Sequence, residues 1–311
     1  MQLRHPAVGA LGLGLLLTLG CTGADSGSNA DLRPVVGVSI FPVADLVQTL
    51  VGEEVRVEVA LPPGASPATF NVTPQQLRDL RRASAFFMIG GGLDEWLADL
   101  PEASGADAPI VRLSDGIQLL AEEESPEEEA HGHSGGSGNP HIWLDPILVR
   151  DEILPKLVEG LSAGFPNKSN EIGHRAQLLA DSLSALDEEI RTILEPLEQR
   201  AFIATHSAWT YFAARYGLEE AGVIHAHPGQ EPSSRDLAGL LDVARDHGIP
   251  CVFSEPQLGE VAVRAISTEL SLPTFLLDPL GGPGEEGREG YFDLLRFNAA
   301  QLVKGLGGTR G

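Results

Sequence analysis

Nine histidines are spread over 311 residues, and two of them, with one aspartate, stand where a ligand would. His141 lies in NPHIWLDP, between a polar tract and a helix start at Asp145–Pro146. His206 closes the strand-like run AFIATH, and Asp278 closes PTFLLD. Open α/β sheets bind ligands beyond the carboxyl ends of their strands, which also draws attention to His225, His227 and Glu255. Two neutral imidazoles with a carboxylate suit zinc, and suit manganese less readily. Each residue also has an ordinary role open to it: a helix cap or core hydrogen-bonder for His, a turn for Asp before Pro. Spacing alone does not decide between these, because the three lie far apart in the chain.

The elements that must position them alternate. RPVVGVSIFPVADLVQTLVG reads as a buried strand and then a helix from near Pro42. EVRVEVALPPG is a strand stopped by Pro62, Pro63 and Gly64. TPQQLRDLRRA is a helix with Thr73 as N-cap and Pro74 at its first position. SAFFMIGGG is another strand, and LDEWLADLP is helical. From Asn167 to Leu197 apolar residues recur at helical spacing: Ile172, Leu179, Leu183, Leu186, Ile190, Ile193 and Leu197. A helix of about 30 residues would be about 45 Å long, more than one small lobe needs. Four strand-like runs follow: AFIATH, EAGVIHAH, PCVFSEP and PTFLLDP, with helical stretches between them. The expected fold class is therefore α/β, with two lobes built on parallel sheets and joined by one long helix. The expected divisions are an amino-terminal lobe over 34–166, a linking helix over 167–198 and a carboxyl-terminal lobe over 199–311.

The net charge of −23, from 44 acidic against 21 basic residues, argues against nucleic acid as a partner. Arg4 and the apolar run AVGALGLGLLLTLG, ending at Cys21, read as a signal segment over 1–21, too short to span a bilayer. TGADSGSNA then reads as part of a flexible tether over 22–33. Removal of the signal leaves Cys251 with no disulfide partner if Cys21 is lipidated, and its apolar setting makes it a buried hydrophobe. The tract 122–138 is acidic, with His131 and His133 among Gly and Ser, and cannot bury enough apolar surface to fold by itself. His174 and His247 read as surface residues.

PPGASPATFNVTPQQLRDL, NPHIWLDP, FIATHSAWTYFAARYGL, EPSSRDLAGLL, CVFSEPQ and LLDPLGG occur in that order. Together they resemble the periplasmic metal-binding lipoproteins (cluster A-I) that serve ABC importers of zinc and manganese. The likeness runs from about Val35 to near the end. It implies a rigid linking helix, a metal in the cleft between the lobes, an importer permease as partner, and lipidation of Cys21 with attachment to a membrane. The chain itself is expected to be an extracytoplasmic monomer and not an enzyme. Residue by residue, it makes His141, His206 and Asp278 metal ligands, with Glu255 supporting them from behind. His at position 206 is the zinc-type choice, so Zn2+ is the expected ion ahead of Mn2+. The family's first ligand falls on Ala68, which cannot coordinate.

Three ways of filling that gap follow: a site of three protein ligands, another donor, or loss of the metal role. Zinc-type members often carry a His- and acid-rich loop before this second ligand, as 122–138 does here. A flexible chain of eight steps from His133 to His141 covers about 16 Å, so His131 or His133 can reach a metal held at His141. His225 and His227 are rival donors. The alternative functions are a zinc hydrolase with an open coordination position and Glu255 as base, and a surface adhesion protein on the same scaffold. Neither HExxH nor GxSxG is present to support the first.

Overall fold

The computed structural model describes residues 33–105, 108–121, 138–225 and 232–307. The signal segment, Cys21, His131, His133, His227, and nearly all of the tether and acidic tract lie outside the described residues.

The first lobe is built on a parallel sheet. β1 (Val35–Val38) is VVGV and wholly buried, as a strand covered on both faces should be. It leads into α1 (Phe41–Val51), with Pro42 in its first turn. β2 (Arg56–Val59) runs parallel to β1, Val35 opposite Arg56. α2 (Pro74–Leu80) begins where expected. The Thr73 hydroxyl accepts from the Gln76 N–H at 3.3 Å, and Gln76 Oε1 accepts from the Thr73 N–H at 2.9 Å. This reciprocal pair satisfies two otherwise orphaned donors. β3 (Ala83–Met88), the short α3 (Leu100–Ser104) and β4 (Ile110–Arg112) complete a sheet of order β2-β1-β3-β4. β4 was not foreseen; three half-buried residues carry too little alternation to be read.

Asp145 starts α4 (Pro146–Leu148), its carboxylate accepting from the N–H groups of Ile147 and Leu148. A wider π turn over Val149–Ile153 passes into α5 (Leu154–Gly164). The long helix, α6, covers Ser169–Leu194, 26 residues and about 39 Å. It is shorter than expected because Pro166–Lys168 form a separate 3-10 turn, and because the helix ends two residues before Pro196. Ile172, Leu179, Leu183, Leu186, Ile190 and Leu194 make its buried stripe, while Ile193 is only partly covered.

The four expected strands of the second lobe are β5 (Ala201–Ala204), β6 (Glu219–Val223), β7 (Val252–Ser254) and β8 (Thr274–Leu276). They pair as two parallel ribbons, β5-β6 and β7-β8, instead of one ladder. The Thr205 hydroxyl spans from one ribbon to the other, donating to the Phe253 carbonyl at 2.8 Å. Around them lie α7 (Thr210–Tyr216), α8 (Ser234–Asp246), α9 (Glu260–Leu270) and α10 (Tyr291–Leu306). Cys251 is a free, buried thiol whose pKa is pushed up to about 12 by burial, so it is inert. Among the described residues no helix is long and apolar enough to cross a membrane.

One apolar core runs from Val36, Leu46 and Phe87 through Trp143 and the α6 stripe to Phe202, Phe253 and Leu302. The two lobes therefore share this core, beside a smaller apolar cluster in each. Leu183, fully buried on α6, is expected to cost about 2–5 kcal/mol when changed to Ala. Urea unfolding of the variant should show one transition shifted to lower denaturant. Two transitions, only one of them shifted, would mean that the lobes do not share the core.

Candidate metal centre

The segment NPHIWLDP is held at nearly every polar atom. Asn139 is fully buried. Its amide nitrogen donates to the Ser207 carbonyl at 2.6 Å and to the Thr210 hydroxyl at 3.0 Å. Its amide oxygen accepts from the His141 backbone N–H at 3.0 Å and lies 2.9 Å from His141 Nδ1. Trp143 Nε1 donates to the Pro279 carbonyl at 2.7 Å, and the Tyr291 hydroxyl donates to the Trp143 carbonyl at 2.8 Å. Asp145, besides capping α4, takes Arg215 at 2.9 and 2.7 Å. His141 is thus fixed by the segment's bonds to β5–α7, to the loop after β8 and to α10.

These bonds also set the tautomer. A backbone N–H can only donate, so the Asn139 atom facing it is the oxygen, and His141 Nδ1 must carry the proton that points at the same atom. Nε2 is left with a bare lone pair. At His206, two residues beyond β5, the Nδ1 atom lies 2.5 Å from the Glu255 carboxylate. Glu255 is buried and acceptor-only when ionised, so it holds Nδ1–H there too. The Trp209 indole N–H lies 3.4 Å from its other oxygen. The two Nε2 atoms face each other at 3.2 Å. Burial, and secondarily the neighbouring His206, holds the His141 imidazolium well below its usual range, so His141 is neutral at neutral pH.

Two nitrogens bound tetrahedrally to one zinc at 2.0–2.1 Å are about 3.3 Å apart. The pair therefore matches one edge of a zinc tetrahedron. The rings open on a cleft of about 280 Å³, whose wall includes Ala68, Gly91, Trp143, Gln257 and Leu280. Behind the pair, Glu220 accepts from Thr210 at 3.0 Å, and burial pushes its pKa up to about 7.

Asp278, the third expected ligand, faces Arg288 and Gln257 here. Its Oδ2 lies 2.5 Å from Arg288 Nη1. Its Oδ1 accepts from Gln257 Nε2 at 2.8 Å and from the N–H groups of Leu280 and Gly281 at 3.0 Å each. Both oxygens are committed, and Asp278 is absent from the cleft wall. His225 is buried with its N–H on the Thr205 carbonyl at 2.8 Å, beside His206 in backbone but off that wall. Among the described residues no group of three or more His, Cys, Asp or Glu is arranged to hold a metal. His174 and His247 are exposed, as expected. Glu255, the base of a hydrolytic reading, sits on the Nδ1 side of His206, away from the paired Nε2 atoms. Asn139 and Arg288 were missed. Asn139, two residues before His141, carries a readable signal, because Asn side chains bond backbone two residues on; Arg288 carries none.

A family model described as zinc-uptake complex component A, periplasmic, matches residues 36–305. The chain belongs to this family. The ZnuA protein of the high-affinity zinc uptake system of Bacillus subtilis is 26% identical over 301 residues, covering 94% of each chain. A crystal structure of ZnuA superposes with a TM-score of 0.76 at 29% identity, covering 88% of this chain and 99% of that one. A manganese-bound mutant of a periplasmic metal-binding protein from Candidatus Liberibacter asiaticus shares the fold, with a TM-score of 0.74 at 18% identity, covering 88% of this chain and all of that one. Family membership and the two α/β lobes on parallel sheets with one long helix thus agree with the sequence.

Glu255→Gln is expected to weaken zinc binding about 10–100-fold, because it removes the charge that orients His206. Asp278→Asn should affect binding less but lower stability, since it leaves Arg288 buried without its anion. Zinc titration and thermal melting of both variants test this ranking. A larger loss of affinity in Asp278→Asn would put that carboxylate back on the ion.

Proposed function

We propose that this chain captures Zn2+ outside the cytoplasm and delivers it to the permease of an ABC importer, as a binding protein and not a catalyst. The observation that carries the reading is the facing Nε2 pair at 3.2 Å, with each Nδ1 held by an acceptor. Neutral imidazole favours zinc over manganese along the divalent series. The family model and the named zinc-uptake relative support the same ion. His141 and His206 are the proposed ligands, oriented by Asn139 and Glu255. Lipidation of Cys21 would tether the protein beside its permease, a reading supported by the apolar run that ends at that residue.

Capture and release follow from where the ligands come from. His141 belongs to the segment before α4, and His206 follows β5 in the other lobe. A zinc ion bound by both ties the lobes together. A tilt of one lobe by an ångström or so takes the nitrogens off the tetrahedral edge, and α6 with the shared core keeps such a tilt small. A permease that grips both lobes can therefore lower affinity without unfolding either.

Competition titration of metal-free protein should show tighter binding of zinc than of manganese, and the double variant His141→Ala/His206→Ala should bind neither well. Equal or tighter manganese binding would contradict the assignment of the ion. Free zinc at about 100 times the dissociation constant should stabilise the parent by about 2.7 kcal/mol through linkage. The same zinc should leave the melting of the double variant unchanged.

A further inference from the structure

Glu220 is a carboxylate in a costly place. It is the second residue of β6, and its Oε1 atom is fully covered. Burial pushes its pKa up to about 7, so keeping it ionised works against the fold. The charged groups that bear on it are His206 and, unfavourably, Glu255. Its side-chain hydrogen bonds among the described residues come from two hydroxyls, Thr210 at 3.0 Å and Ser207 at 3.4 Å.

Both hydroxyls also face Asn139. One N–H of the Asn139 amide goes to the Ser207 carbonyl at 2.6 Å. The other faces Thr210 Oγ1, 3.0 Å from the amide nitrogen, with Ser207 Oγ at 3.4 Å. An amide N–H can only donate, and an ionised carboxylate can only accept. The hydroxyls between them therefore turn lone pairs to Asn139 and protons to Glu220. The Ser207 carbonyl and the His141 N–H have one role each, but a hydroxyl can reverse. Without the carboxylate, these two, 3.2 Å apart, can bond each other or turn a proton toward Asn139.

We propose that Glu220 is a positioning residue for His141: by holding the Thr210 and Ser207 protons it fixes Asn139 with its oxygen on His141 Nδ1–H, and so keeps His141 Nε2 bare for the ion. Hydrogen bonds in such a chain polarise one another, so an anion at its far end strengthens every link. Glu255 holds His206 directly, whereas Glu220 holds His141 through two steps. Each imidazole of the pair then has a buried carboxylate behind it. The inference rests on the reading of the centre as a zinc site and adds what sets the tautomer of one ligand.

The test uses the full chain at pH 8, above the Glu220 pKa. Long-range nitrogen–proton spectra of metal-free, ring-labelled protein read the His141 tautomer, and zinc titration reads affinity. Glu220→Met keeps the length of the side chain and loses the acceptor. It should place a share of His141 rings in the Nε2–H form and weaken zinc about tenfold, the low end for groups behind a ligand. Glu220→Gln, which keeps an acceptor oxygen, should recover most of both. Thr210→Val breaks the chain at another link and should reproduce Glu220→Met. The two changes together should cost little more than either, because the groups act in series. An unchanged His141 tautomer in Glu220→Met and Thr210→Val overturns the proposal, even if the variants melt lower. Equal losses in Glu220→Gln and Glu220→Met, or additive losses in the double variant, also overturn it, because the charge then acts on the ion directly. A parent chain that takes up no zinc brings down the zinc reading, while the tautomer comparison still decides the role of Glu220.

Discussion

Two neutral imidazoles whose bare nitrogens face each other at 3.2 Å repel unless a cation stands between them. Most of what is unusual in this molecule keeps them there. Asn139 and Glu255 take the Nδ1 protons and so forbid the tautomer in which one ring would donate to the other. Burial disfavours protonation of His141, which would otherwise relieve the repulsion with a proton. A metal ion between them relieves it too, and the separation is that of zinc ligands. Such preorganisation is how supporting bonds tune a metal site: they fix which atom of each ring is available before the ion arrives.

The constraint reaches well beyond the two rings. Asn139 bonds across to Ser207 and Thr210, so the segment bearing His141 is placed by the element that follows His206. Trp143 and Tyr291 tie the same segment to the loop after β8 and to α10. The core behind them is continuous along α6. A site assembled from two lobes needs that continuity, because an error of an ångström in lobe placement is comparable to the tolerance of a zinc–nitrogen bond.

Much of this was legible in the sequence. The strand–helix alternation, the long helix and the Thr73 cap are local patterns, and each formed, the helix shorter than its apolar spacing suggested. The rule that ligands gather beyond strand ends singled out His206 and Glu255, which the fold brings into contact. It also singled out Asp278, which the fold sets against Arg288 and Gln257. Arg288 reaches back across a loop of glycines, Gly281 to Gly287, to neutralise that carboxylate. Nothing in the spacing of ten residues distinguishes such a return from an open turn. The two parallel ribbons of the second lobe were likewise unreadable as separate units, because the pairing of short strands is decided by non-local packing. Ala68 was legible as a missing donor, and the structure adds what fills its surroundings: an apolar cleft with no substitute among the described side chains.

The central claim is that zinc binds through Nε2 of both His141 and His206 while both Nδ1 atoms stay protonated. Long-range nitrogen–proton spectra of ring-labelled protein, recorded as zinc is added at neutral pH, read this directly. The account predicts that at one equivalent of zinc the Nε2 resonances of these two rings, assigned with single His variants, take metal-bound shifts while their Nδ1 resonances keep the protonated position. A zinc-loaded spectrum in which either ring is protonated at Nε2, or in which neither responds to zinc, would contradict it.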